Sequence, residues 1–537
     1  MSSSKGSPKV VDAVVVGAGF TGLFSVYRLR ELGLTVQGVE AGSGFGGTWY
    51  WNRYPGARTD SPSYVYQFWF SDELLNEWDW SERFPAQEET ERYLNFVADK
   101  FKLRENYQFN ARVTAATFNE ATERWLVTLE NGEQFDTQFL VMGTGGLTEA
   151  VFPDIPGVES FKGDYYHTAR WPEEPVDFSD KRVGIIGTGA TGIQVIQTIA
   201  KDVGHLTVFQ RTPNYTIPMN NWKFDDELRN EYRKKYPEFK KRVHETFAGF
   251  HFDFDPREIA SVSSEERHEI MEKLWADGSL AFWVGSFSEV FFDQDVNDEF
   301  SKFAQAKIRA RINDPKVADK LVPSGYGFGT RRVPLETRYY EAYNQDNVLL
   351  VDTNETPIQA VTETGIKTST KEHELDVIIY ATGFEVGTGA LLRIDMKGRQ
   401  GKSLKDTWNE EVRTYLGLQV HGFPNMFMSM APMSPAAAYC NVPTCLQQQV
   451  EWITDCIAYI RDHERLSIEP TLEAQDSWVL HHDEVSDGTL AKNTASWHVT
   501  ADKNGKPRTL AYAGGAHLYK RRCDEIKAGG YSEFAIS

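Results

Sequence analysis

Val11-Asp12-Ala13-Val14-Val15-Val16 runs without a break into Gly17-Ala18-Gly19-Phe20-Thr21-Gly22, and the reading of that junction decides the fold. A short, nearly continuous β-branched run is the pattern of a parallel strand buried on both faces. Leu23 to Arg30 then shows helical periodicity, and a second strand, Thr35 to Val39, ends in Glu40. Glu40 lies 18 residues beyond Gly22, close to the spacing at which an acid meets a nucleotide ribose. In such a strand–turn–helix unit Gly17 permits the tight turn, Gly19 lets the backbone approach a pyrophosphate, and Gly22 lets helix and strand pack closely. The anion sits on the unpaired N–H groups of the helix N-terminus.

The pattern recurs. Arg182-Val183-Gly184-Ile185-Ile186 leads into Gly187-Thr188-Gly189-Ala190-Thr191-Gly192, then a helix-like stretch from Ile193 to Ala200 and a strand from Leu206 to Phe209. This strand ends in Gln210-Arg211-Thr212 and not in an acid. A carboxylate there would repel a 2′-phosphate, whereas Arg211 can clamp one and Thr212 can add a hydrogen bond. Glu40 thus suits FAD and Arg211 suits NADPH, and two such units starting 170 residues apart suggest a flavoprotein reduced by a nicotinamide.

Composition narrows the rest. The 537 residues carry 57 Lys+Arg against 77 Asp+Glu, a net charge of −20, which argues against nucleic acid or an anionic membrane as partner. No stretch is long and apolar enough for a membrane span, and the first residues lack the order of a signal peptide. Four cysteines make no disulfide framework, and no His/Cys cluster has metal-ligand spacing, so no metal is expected. A cytoplasmic enzyme is the expectation.

The fold class expected is α/β, with two Rossmann-like dinucleotide-binding domains and a mostly helical insertion. Strand signals at Phe139–Met142 and Leu375–Tyr380 run into Gly143-Thr144-Gly145 and Ala381-Thr382-Gly383, where the chain can cross between domains. The expected division is a FAD-binding domain of residues 1–145 and 381–537, an NADP-binding domain of residues 150–221 and 330–380, and a helical insertion of residues 222–329 within the latter. Phe247, Phe250, Phe252 and Phe254 of the insertion read as core.

Phe161-Lys162-Gly163-Asp164-Tyr165-Tyr166-His167-Thr168-Ala169-Arg170-Trp171-Pro172 fits F-x-G-x-x-x-H-x-x-x-W-P, and it lies between the two nucleotide units. Gly46-Gly47-Thr48-Trp49, Tyr54-Pro55-Gly56 and Asp60 fit a second, longer signature. With these motifs the chain resembles the Baeyer–Villiger monooxygenases over nearly its whole length, and it is most similar to the branch of phenylacetone and cyclohexanone monooxygenases. The resemblance implies an NADPH- and dioxygen-dependent enzyme that converts a ketone to an ester or lactone through a flavin C(4a)-peroxide.

It also implies roles for individual residues. Gly329-Thr330-Arg331-Arg332 stands where the family has Gly-Thr-Lys-Arg, which makes Arg332 the catalytic arginine and gives Arg331 the 2′-phosphate. Asp60 would pair with Arg332, because an unmatched buried cation costs several kcal/mol. Trp49 and Tyr66 would line the flavin, Gln194 would touch the NADP pyrophosphate, and Trp497 would contact NADP from a C-terminal loop. His167 reads as a structural hinge between domains. Ala501-Asp502-Lys503-Asn504-Gly505-Lys506 departs from the family's Ala-Asn-x-Pro-Gly-Lys, which puts cofactor contacts there in question. Cys440 and Cys445 form a C-x-x-x-x-C far from the first nucleotide unit, and so are not read as the dithiol of a flavin disulfide reductase. A flavin monooxygenase acting on sulfur or nitrogen and a flavoprotein reductase or oxidase are the competing readings. Neither the ketone nor the oligomeric state is legible in the sequence.

Overall fold

β1 (Lys9–Val16) lies parallel to β2 (Val36–Val39) on one side and to β3 (Gln134–Met142) on the other. Its Ala13, Val14 and Val15 are completely buried, which is why the run is apolar without alternation. The computed structural model of the chain describes residues 7–436, 438–496, 499–501 and 504–537. In it β1 belongs to an eight-stranded sheet. The order is Asp395–Lys397, Val113–Asn119, Arg124–Leu129, β3, β1, β2, Tyr107–Gln108, with Met426–Met428 also paired to β3. The helix α1 (Phe20–Glu31) returns along this sheet and packs on the helix Val442–Asp462.

The second sheet has five strands, all parallel, in the order Val348–Asp352, β5 (His205–Gln210), β4 (Arg182–Ile186), β6 (Val377–Tyr380), Asp164–His167. Between β4 and β5 runs α2 (Ala190–Ile199), whose Ile193, Val195, Ile196 and Ile199 are buried. The strand Asp164–His167 is the fingerprint segment itself, placed at the sheet edge. Both nucleotide units therefore fold as their motifs predict, to within two residues at most element ends. The antiparallel pair Val113–Asn119 and Arg124–Leu129, and the small sheet Ile358–Val361, Gly365–Thr368, Glu372–Glu374, were not anticipated. Each is a short alternating stretch with no motif attached.

Between the two sheets the chain crosses twice, and the crossings touch. Ala150 and Phe384 form an antiparallel bridge, Val151 N donates to Gly383 O (3.0 Å) and Glu385 N to Glu149 O (2.9 Å). His167 sits at this ribbon: its Nδ1 accepts from Ala169 N (3.0 Å), so Nε2 carries the proton and faces Val151 O and Thr382 Oγ1, each at 3.2 Å. Burial lowers its pKa and keeps it neutral.

From residue 226 to 321 the chain is largely helical, with helices at Asp226–Arg242, Ser264–Asp277, Gln294–Arg309 and Pro315–Leu321. Asp225 caps the first of these through Leu228 N (2.8 Å). Phe250 is buried, and Phe247, Phe252 and Phe254 pack against the same core.

The described residues of the C-terminal segment lean on the helix Leu472–Asp487. Its fully buried His482 donates from Nε2 to Thr509 O (2.7 Å), and burial pushes its pKa down to about 4. An unfolded histidine titrates near ~6.5, so between these values the unfolded chain holds a proton that the folded chain lacks. The stability from the neutral ring is complete above the unfolded pKa and falls as pH drops through that window. His482→Gln retains a donor at the Nε2 position and does not titrate. Unfolding free energies from pH 7 to pH 5 at fixed ionic strength should fall less steeply in this variant, by up to about 1.4 kcal/mol per pH unit. Equal slopes would show that His482 does not contribute.

Candidate active site

One cavity of about 1340 Å³ lies between the two sheets, and both glycine turns open onto it. Gly17 (φ +102°) and Gly187 (φ +108°) make the two turns. A Cβ on Gly17 would collide with Gly143 O, and one on Gly187 with Ala381 O, so each turn is pressed against one of the two crossing segments. The α1 and α2 N-termini have no side-chain cap and no acid in the first turn, which leaves backbone donors and the positive helix end for an anion.

Glu40 stands on the cavity wall at the end of β2, where its carboxylate accepts from Ala18 N (2.8 Å) and Gly42 N (2.7 Å). Burial raises its pKa against the pull of those two N–H groups and of Arg112. Two backbone bonds fix the carboxyl oxygens beside the first turn. On the second side Arg211, Thr212 and Arg331 line the same cavity. The Arg331 guanidinium lies 4.4 Å over the Tyr326 ring, and its buried Nε has no hydrogen-bond partner. Neither Arg211 nor Arg331 makes an ion pair with a carboxylate among the described residues, whereas most other arginines here do. Two cations held at a cavity without anions fit a bound phosphate. The residues present therefore suit FAD on the first side and NADP(H) on the second.

Asp60 and Arg332 meet where the two sides join. The guanidinium donates from Nε to Asp60 Oδ2 (2.8 Å) and from Nη2 to Oδ1 (2.7 Å), a two-bond fork. The side chains are 27% and 16% exposed, and both line the cavity. Burial acts to lower the Arg332 pKa, but Asp60 overrides it and the net shift is upward, so Arg332 is a fixed positive charge at any working pH. The Asp60 loop is pinned by Thr59 N to Pro85 O (3.1 Å) and Ser63 N to Arg83 O (2.7 Å).

The loop bearing Arg332 is held from the helical side. Gly329 adopts φ +73°, Trp283 Nε1 donates to Gly329 O (3.2 Å), and Asn297 Nδ2 to Phe328 O (2.8 Å). Four residues on, buried Glu336 pairs with Arg311, which also reaches Glu341 (2.7 Å).

Trp49 and Tyr66 sit together beside this pair. The indole donates to the Tyr66 hydroxyl (3.1 Å), and burial raises the Tyr66 pKa, so the phenol stays protonated. Gln194 borders the cavity with its amide engaged in the protein: Oε1 accepts from Tyr54 (2.9 Å) and Nε2 donates to Arg58 O (3.2 Å). Tyr54 and Arg58 thereby tie the first unit to α2. Phe247, Phe250, Phe252 and Phe254 do not line the cavity. Trp497 and Asp502 lie outside the described residues. Cys440 and Cys445 are buried free thiols at the start of the helix Val442–Asp462, not beside the first glycine turn. Among the described residues no group of His, Cys, Asp and Glu could hold a metal ion.

Two glycine-turn nucleotide units sharing one cavity define a two-dinucleotide flavoprotein. A family model described as flavin-binding monooxygenase-like matches residues 9–222. The acetone monooxygenase (methyl acetate-forming) of Gordonia sp. (strain TY-5) is 48% identical over 99% of this chain and 100% of its own. A crystal structure of OTEMO in complex with FAD and NADP superposes with a TM-score of 0.95 at 42% identity, covering 99% of this chain and 100% of the other. An oxidised steroid monooxygenase bound to NADP gives 0.94 at 41%, covering 98% and 99%. The chain belongs to the Baeyer–Villiger monooxygenases.

Arg211→Ala should raise the Michaelis constant for NADPH far more than that for NADH. A lost charged hydrogen bond costs about 1.5 to 3 kcal/mol, or ~10- to 150-fold. Steady-state kinetics with both cofactors decides the matter, and equal changes would remove Arg211 from the 2′-phosphate site.

Proposed function

We propose that Arg332, held by Asp60, is the catalytic cation of an NADPH- and dioxygen-dependent oxygenation that inserts one oxygen beside a ketone carbonyl to give an ester or lactone. The observation that carries this reading is the two-bond Asp60–Arg332 fork at the junction of two nucleotide turns in one cavity. Bound here, FAD and NADPH supply hydride transfer and the activation of dioxygen.

The protein's own groups do the rest. Gly17, Gly19 and Gly22 open the first turn to a pyrophosphate, and Glu40 accepts from a ribose hydroxyl. Trp49, Tyr66 and Asp60 close the wall around the flavin. Gly187, Gly189 and Gly192 serve the second dinucleotide, Arg211, Thr212 and Arg331 its 2′-phosphate, and Gln194 fixes the approach of α2. Arg332 presents a charge that no accessible pH removes, and it opposes the negative charge that develops on the ketone oxygen as its carbon is attacked. A preorganised donor of this kind is worth about 3 to 4 kcal/mol, or ~10² to 10³ in rate. Asp60 fixes the direction of the guanidinium and offsets its desolvation.

The sheets support a division into residues 1–145 and 381–537 around FAD, residues 150–221 and 330–380 around NADP, and an insertion of residues 222–329. Among the described residues no helix is long and apolar enough to cross a membrane. The four cysteines are all free thiols, which supports a reducing compartment such as the cytoplasm.

The test uses acetone, cyclopentanone, cyclohexanone, a phenyl ketone and a steroid ketone with NADPH under isotopically labelled dioxygen. Mass spectrometry should find an ester or lactone carrying one labelled oxygen. Arg332→Ala should still oxidise NADPH while ester formation drops by ~10² or more. Normal ester formation by this variant would end the assignment.

A further inference from the structure

The turn that carries Arg332 is bonded to the C-terminal segment through a pair of buried threonines. Thr494 Oγ1 donates to Thr330 Oγ1 (2.9 Å), and Thr330 Oγ1 donates in turn to Gly327 O (2.9 Å). Thr494 is 8% and Thr330 5% exposed, so water does not readily replace either bond. Thr330 immediately precedes the cation pair Arg331-Arg332. Thr494 immediately precedes Ala495 and Ser496, which line the same cavity as the two arginines.

Elsewhere the C-terminal segment is tied to other partners. Lys492 and Lys506 both pair with Asp487, and Arg508 pairs with Asp483 (2.6 Å) and Glu411 (2.9 Å). These ion pairs fasten it to the helix Leu472–Asp487 and to the end of the helix Leu404–Glu410. Among the described contacts, the threonine pair joins the segment to the arginine turn.

We infer that Thr494 is a positioning residue for oxygen transfer: its bond to Thr330 seats the 494–496 wall against the Arg331-Arg332 turn and keeps the cavity closed to water around the reacting ketone. This rests on the reading of Arg332 as the catalytic cation. A hydroxyl chain suits the task, since it fixes the direction of both partners without adding charge beside two arginines. If the wall stands off, reducing equivalents from NADPH leave as hydrogen peroxide, two electrons and two protons per dioxygen, instead of yielding ester and water.

The test compares Thr494→Val and Thr494→Ser with the parent, as purified FAD-loaded proteins, on the ketone of the panel that is turned over best. Valine keeps the shape and loses the donor, whereas serine keeps the donor. Thr494→Val should raise the ratio of hydrogen peroxide to ester about 2- to 12-fold, the size of one lost hydrogen bond, and Thr494→Ser should restore the parent ratio. Tryptic cleavage after Lys492, followed without NADPH, should accelerate in Thr494→Val alone. Thr330→Val removes the same bond from the other side and serves if Thr494→Val does not fold. An unchanged ratio in Thr494→Val, or Thr494→Ser as uncoupled as the valine variant, overturns the inference. Arg332→Ala run alongside separates the two failures. If it still makes ester, the reading of the site falls; if it does not and Thr494→Val behaves as the parent, the threonine bond alone is discarded.

Discussion

A guanidinium taken out of water must be met by a carboxylate, and the one that meets Arg332 lies 272 residues away in the chain. That requirement sets the architecture of the site. Asp60 is anchored on the first nucleotide unit and Arg332 on a turn braced by the helical segment, so the fork forms only when the two halves close on one cavity. Either partner alone would leave a poorly solvated charge, and such a loss destabilises far more than the intact pair contributes. The same contact thus joins the halves and aims the cation.

Around this pair some cations are matched by carboxylates, and among the described residues others, Arg112 and Arg170 among them, are not. Arg311 is shared by Glu336 and Glu341, and Arg508 by Glu411 and Asp483. The first braces the segment that follows Arg332 on the cavity wall. Arg211 and Arg331 lack such partners among the described residues. In a protein of net charge −20, cations without acidic partners at a cavity mark where an anionic ligand belongs.

Much of this was legible before any coordinates. The two glycine turns with their strands and helices follow from short motifs, because each demands a particular residue type at a fixed spacing, whereas the Asp60–Arg332 pairing was implied by the family resemblance. What was not legible depends on contacts with no local signature. Gln194, expected on a pyrophosphate, lines the cavity, and its links to Tyr54 and Arg58, residues more than 130 positions earlier, had no signal in the sequence. Thr330 and Thr494 are ordinary threonines until folding sets their hydroxyls 2.9 Å apart. The antiparallel strands between residues 113 and 129 were not anticipated, and their buried positions alternate with more exposed ones.

The two sheets differ in when they can be finished. Every strand of the parallel sheet lies between residues 164 and 380, whereas the other sheet needs Asp395–Lys397 and Met426–Met428, which come after it. As the chain leaves the ribosome, the inner sheet has all its strands while the outer one still lacks two, and the touching crossings at Ala150 and Phe384 let it close without waiting. The inner unit can therefore fold first as a unit, and the outer sheet, whose late strands must find partners across that whole span, has the high contact order that slows folding.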